Sequence, residues 1–371
     1  MTSEAGLPGY AEHFSEPEGY LDFARYGPPS RDVLDATAAA LAQSAQAGHT
    51  TVNELMLAEP RARAAAARLA GTGPAHVVLL PNASTGLFHA AFGIPKGTVL
   101  VPAADFPANH YPWRRSAALG RAEPRWLDAA PTPEAVDKAL TDVVVAVSLS
   151  AVDFRTGYRA DLAAIRQVIG EDRLLIVDAM QAFGVADLPW DAADVVVAGG
   201  QKWLRASWAT GFAALSDRAL ERLEPTLTGW TGVEDVAVFD DTEHPAAPDA
   251  LRWSITNLSP VTAAAFAAAL ELVETVTVRA IAAHVAQRVD ELIDAVRAAG
   301  GEILSPVAPA ERAGIVSFRL PGTDPAAVAK TLHAHDVTPS VRADSVRLSA
   351  HASTTAGAVD RVRQALQSVR A

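Results

Sequence analysis

Short apolar runs, each closed by a polar or glycine-rich turn, recur through the first two-thirds of the chain. Those beginning at Val77, Val99 and Val143, and those at 174–177, 195–198 and 211–215, are too short for buried helices, and all but the last are rich in β-branched residues. They read as strands buried on both faces of a sheet. Helical spacing of apolar residues separates them, over 32–47 and 59–69, from near Ser84, and again after Asp161, which stands as an N-cap. Ser30, in the turn Gly-Pro-Pro-Ser, is placed to cap the first of these helices. From Val261 the pattern changes. An Ala-rich helical stretch to Ala299 leads into Ile303, a strand over 315–320, a helix over 325–335, the string VRLSAH and a last helix, which suits a smaller α+β domain. No internal repeat or low-complexity linker interrupts the chain.

The chain has 371 residues, half of them hydrophobic, which is enough for a sizeable core. A net charge of −12, with no basic run interleaved with aromatics, argues against nucleic acid and anionic membrane as partners. The absence of cysteine rules out disulfides and thiolate metal sites. His333 and His335 splay apart on their helix, so no metal is expected there. The opening residues carry acidic groups and no apolar core, unlike a signal peptide, and the alanine-rich run from Thr262 is too short to span a bilayer. The cytoplasm is the expected compartment.

Candidate chemistry gathers at strand ends. The run at 195–198 leads through Gly199, Gly200 and Gln201 to Lys202, and the run at 174–177 ends in Asp178. A lysine at the mouth of a sheet either snorkels to water or has its charge used, and a carboxylate at the next strand end is a partner for that use. The turn Ala83, Ser84 and Thr85 follows the first strand and opens a helix. Its free N–H groups make an anion site, although Ser84 also reads as a plain cap. No Gly-x4-Gly-Lys or Gly-x-Gly-x-x-Gly occurs, so a nucleotide loop is excluded. Phe106 is either core or a ring platform. Arg347 is either a salt-bridge residue or a carboxylate fork.

Taken together, VVVAGGQKW, VDAMQAFG, DFPANHYPW and DSVRLSAH, in that family's order, resemble segments of the class V aminotransferase family over roughly residues 18–371. The resemblance implies an α/β fold, the pyridoxal-phosphate (PLP) dependent transferase fold type I. It has a mostly parallel seven-stranded sheet and a smaller α+β C-terminal domain. The expected division is an N-terminal arm over 1–30, a large PLP-binding domain over 31–255 and a small domain over 256–371. It further implies that Lys202 carries PLP covalently, Asp178 faces the ring nitrogen, Gln181 bonds the ring phenolate oxygen and Phe106 stacks on the ring. Ala83, Ser84, Thr85 and Asn109 would hold the phosphate side, and Gln201 would flank the lysine. Thr256 and Asn257 would extend to a partner subunit's phosphate in a homodimer with shared active sites. Arg347, with Arg25 as a second candidate, would hold the carboxylate of an amino-acid substrate, and Asp153 or Arg155 would lie near the cofactor. The chain departs from the family at Gly199, Gln201 and Ala209, where serine, histidine and glycine are common. VDFRTGYRADL and LTGWTGV are similar to kynureninase segments, yet Gln181 and Trp203 replace that subfamily's histidine and tyrosine. VDAMQAFG is similar to a carbon–sulfur lyase segment. The expected activity is therefore a lyase cleaving a Cβ or C–S bond, with transamination, or non-catalytic binding of PLP or an amino acid, as the alternatives. Without cysteine the chain cannot work as a cysteine desulfurase does.

Overall fold

The computed structural model describes residues 6–369. Seven strands form the larger sheet: β1 (Val77–Leu79), β2 (Thr98–Pro102), β3 (Glu123–Leu127), β4 (Val144–Ser150), β5 (Leu174–Asp178), β6 (Val195–Gly199) and β7 (Gly211–Leu215). Their order is β1-β7-β6-β5-β4-β2-β3, and every pairing is parallel except those of β7 with β6 and β1. Side chains alternate between two cores, as the strand period requires. Val195 and Val197 of β6 pack on one face, and Val196 and Ala198 on the other. The helix Ala83–Gly93 lies so close to β6 that a Cβ on Gly86 would come 2.6 Å from Val197 Cγ1, so glycine permits the contact.

Strand β3 has no clear hydrophobic signal because it is an edge strand, half-buried in alternation and broken by Pro124. The first expected helix is capped by Ser30 Oγ, which accepts from Val33 N–H at 3.2 Å. The Ala-rich stretch is two helices, Pro260–Glu274 and Val278–Ala298, bent by 78°. Pro260–Glu274 packs on the helices Arg31–Ser44 and Ala58–Ala70 of the large sheet's side. Val278–Ala298 instead covers the second sheet, which comprises β8 (Glu302–Ile303), β9 (Ile315–Arg319), β10 (Ser340–Val341) and β11 (Val346–Ser349) in the antiparallel order β10-β11-β9-β8. Among the described residues no single helix is long and apolar enough to cross a membrane.

The N-terminal arm ties these parts together. Tyr20 and Asp22 bridge to Thr338 and Ser349, Gly27 N–H donates to Gln201 O at 2.9 Å, and Arg205 pairs with Glu16 in the interior. A Cβ at Gly27 would stand 1.9 Å from Lys202 O, so the arm passes the lysine turn at backbone contact.

Candidate active site

A cleft of about 820 Å³ opens at the carboxyl ends of β4, β5 and β6, where the arm, the lysine turn and the second sheet converge. Asp178, the last residue of β5, is 4 % exposed and accepts Met180 N–H at 2.9 Å. Burial pushes its carboxyl up to about 6, with the nearby Asp105 charge adding to the effect and Lys202 opposing it. Lys202 lies across the cleft, its Nζ 5.5 Å from the Phe106 ring centroid. Burial draws its ammonium down to about 8 against the attraction of Asp178, and Arg347 and Arg342 add to the lowering. The chain has four lysines, and Lys96, Lys138 and Lys330 are all exposed. Only Lys202 is therefore both sheltered and activated.

Gln181 is held at both ends of its amide. Its Oε1 accepts the Trp203 indole N–H at 2.7 Å, and its Nε2 donates to Ala24 O at 3.0 Å. Indole can only donate, which fixes the amide orientation. Trp203 thus has a role that the sequence did not signal.

The turn after β1 departs from expectation. Asn82, not Ser84, caps the helix Ala83–Gly93: its Oδ1 accepts from Thr85 N–H at 2.9 Å and Thr85 Oγ1 at 3.1 Å. Ser84 and Ala83 are left lining the cleft, with their N–H groups at the helix start, while Thr85 is turned back on Asn82. Phe106 faces the cleft and meets Phe154 edge-on at 5.1 Å.

Asn109 corrects its assignment. It is fully buried, accepting from Ser148 Oγ at 2.6 Å and Trp113 Nε1 at 3.2 Å and donating to Asp105 at 2.9 Å. It does not line the cleft, whereas Ala83 and Ser84 do. Gln201 lines the cleft beside Lys202. Asp153 and Arg155 pair with each other at 3.1 Å and line a neighbouring cavity of about 260 Å³, away from Lys202. Asp161 is the cap expected, at 3.0 Å from Ala164 N–H.

Arg347 stands in the cleft wall, almost wholly buried. Its Nη1 donates to Phe154 O at 2.6 Å and its Nη2 to Ser340 Oγ at 2.9 Å, and Asp22 lies 3.4 Å away. Its Nε is buried without a partner among the described residues. Burial, then Arg342, pulls the guanidinium down to about 10. Arg25 is exposed on the cleft rim, as are Arg342 and Trp208, and neither of the last two carried a sequence signal. Thr256 and Asn257 lie outside this cleft, exposed, with Thr256 Oγ1 accepting from Trp230 Nε1 at 3.3 Å.

Comparison with known proteins agrees with this geometry. A model of the Aminotransferase class-V family matches residues 20–359. Among curated relatives, a kynureninase of Deinococcus radiodurans is 30 % identical over 275 residues, 70 % of this chain and 66 % of that one. An uncharacterized aminotransferase, YcbU, of Bacillus subtilis is 27 % identical over 227 residues, 59 % of this chain and 60 % of its own. The matched region thus spans less than about two-thirds of these relatives. Of solved structures, a complex of the cystine C–S lyase C-DES with cysteine persulfide has a TM-score of 0.86 at 20 % identity, covering 97 % of this chain and 99 % of that one. Another C-DES structure holds glycine covalently linked to its PLP cofactor, with a TM-score of 0.85 at 19 % identity over 99 % of each chain. The cysteine desulfurase CsdA of Escherichia coli has a TM-score of 0.84 at 16 % identity over 98 % of each chain. At these identities the solved structures show the fold alone.

Proposed function

Because this chain belongs to the Aminotransferase class-V family, we propose that it is a PLP-dependent lyase that cleaves a Cβ or C–S bond of an amino acid. The observation that carries the reading is the opposition of Lys202, the one sheltered lysine, to the buried carboxylate of Asp178. The donor set fits the cofactor. An amine drawn down toward neutrality suits the aldehyde, a buried carboxyl suits the ring nitrogen, and the start of the helix at Ala83 and Ser84 suits the phosphate. When bound, PLP supplies an electron sink for the bond broken at the substrate.

The chain's own residues supply the rest. Asp178, deprived of water, holds a proton at the ring nitrogen far better than an exposed carboxylate would. Gln181, locked by Trp203 and Ala24, keeps one Nε2 hydrogen for the phenolate oxygen. Phe106 closes one face of the ring site against water. Lys202, drawn down to about 8 and so partly unprotonated near neutral pH, is placed to take the Cα proton and return it. The orphaned Nε of Arg347 and the one Nη1 hydrogen not given to Phe154 are left for the α-carboxylate, while Asp22 and Ser340 take both Nη2 hydrogens and hold the guanidinium plane in place.

Two further observations support a homodimer with shared sites. Phe239 is 84 % exposed, and Trp230, Val238 and Ile255 extend its apolar patch. Thr256 and Asn257 adjoin that patch outside their own cleft, where they would serve a second subunit.

Transamination is the second reading, favoured by the aminotransferase name of the Bacillus relative and needing the same residues. Steady-state turnover of amino acids and S-conjugates of cysteine, reading pyruvate, ammonia and alanine release, decides between them. Product release with no 2-oxoacid acceptor added supports the lyase. Turnover only when a 2-oxoacid accepts the amino group overturns it.

A further inference from the structure

The cleft carries more positive charge than those roles use. Arg25, Lys202, Arg342 and Arg347 face it, against Asp22 and Asp178. Asp22 is spent on Arg347, Asp178 and Lys202 are taken up by the cofactor, and the cofactor's phosphate is assigned to the Ala83–Ser84 turn. Arg25 and Arg342 remain. Both are exposed on the rim, and neither guanidinium makes an ion pair or hydrogen bond with a described residue. The chain as a whole is acidic, at −12, so two uncompensated guanidiniums beside a third form a local field that draws in anions. Burial first, then Arg342 and more weakly Arg25, lower the proton affinity of Arg347, as like charges around one cleft do.

A physical track joins Lys202 to this rim. The Lys202 ammonium sits over Phe106, Phe106 meets Phe154 edge-on, and Arg342 Cζ lies 5.8 Å from the Phe154 ring centroid. A side chain extending from a substrate held at Lys202 and Arg347 would pass along Phe106 and Phe154 and end at Arg342.

We propose that Arg342 and Arg25 form a second anion subsite, so that the substrate is an amino acid bearing a further acid group at the far end of its side chain. This rests on the lyase reading above. Arg342, closing the aromatic track, makes the principal contact, and Arg25 adds charge from the arm. The subsite is distinct from the phosphate position, which lies at the Ala83–Ser84 turn.

The test uses the PLP-loaded protein and a matched pair of substrates, S-(2-carboxyethyl)cysteine and S-propylcysteine, which differ only in the distal carboxylate. Wild type should favour the acid in kcat/KM by at least about tenfold, as a charge-assisted bond predicts. Arg342→Ala should lose about tenfold or more on the acid and less than about threefold on the propyl compound, and Arg342→Lys should recover part of the loss. In a calorimetric arm, glutarate should bind wild type more tightly than butyrate, and Arg342→Ala should remove the difference. If neither conjugate turns over but glutarate selectivity persists and falls in Arg342→Ala, the subsite stands and the lyase reading fails. If both turn over and all variants treat acid and propyl compounds alike, the lyase reading stands and the subsite is overturned. If Arg342→Ala loses PLP affinity instead of acid selectivity, Arg342 is a phosphate residue and the proposal is also overturned.

Discussion

Asp178 shows at the scale of one residue how function sets the local energetics. Its folded carboxyl titrates at about 6, above its ordinary 3.8, because burial penalises the charged form. The stability it contributes is therefore full below about pH 3.8 and lost as pH rises through about 6. Without cofactor, Asp178→Asn should melt above the wild type at pH 7, and the gap should close below about pH 4. The same substitution should keep PLP binding and cost roughly two decades of turnover. A variant that melts no higher and turns over normally would make Asp178 a plain strand-end residue. The sequence placed Asp178, Gln181 and Lys202 just at or beyond strand ends, and the fold brings all three to one cleft. Asn109 was misread because a string cannot show that Asp105, Ser148 and Trp113 hold it wholly buried and off the cleft. Asp22 and Arg342 were missed because a loop arginine and an arm aspartate acquire meaning only when the second sheet brings them to the cleft.

Among the elements, the turn after Lys202 carries unusual backbone strain. Arg205, Ser207 and Ala209 have φ of 57°, 70° and 59°, in the left-handed region that favours glycine. Ala209 is the position where the family signature usually has glycine, so the departure seen in sequence has a conformational cost. Ala209→Gly should stabilise the protein by about 0.5–1 kcal/mol after the added flexibility of the unfolded chain is counted. Denaturant unfolding measures it, and a variant less stable than wild type would show that the Ala209 methyl packs better than its φ costs. The buried strands were readable because both faces are apolar, whereas edge strand β3 and the bend between Glu274 and Val278 depend on neighbours the pattern does not encode.

For the whole molecule, the arm and the second sheet close the site against the large sheet, and the exposed apolar patch around Phe239 is the face we propose for a second subunit. Phe239→Asp should yield monomers in sedimentation at micromolar concentration, with activity falling alongside if Thr256 and Asn257 serve the partner. A monomeric variant of full activity would confine each site to one chain. The central claim, that this architecture exists to hold PLP on Lys202 opposite Asp178, is tested most directly by chemical trapping. The PLP-loaded protein is reduced with borohydride, digested and mapped by mass spectrometry. The pyridoxyl group should lie on Lys202 alone. A label on Lys96, Lys138 or Lys330, or none at all, would contradict it.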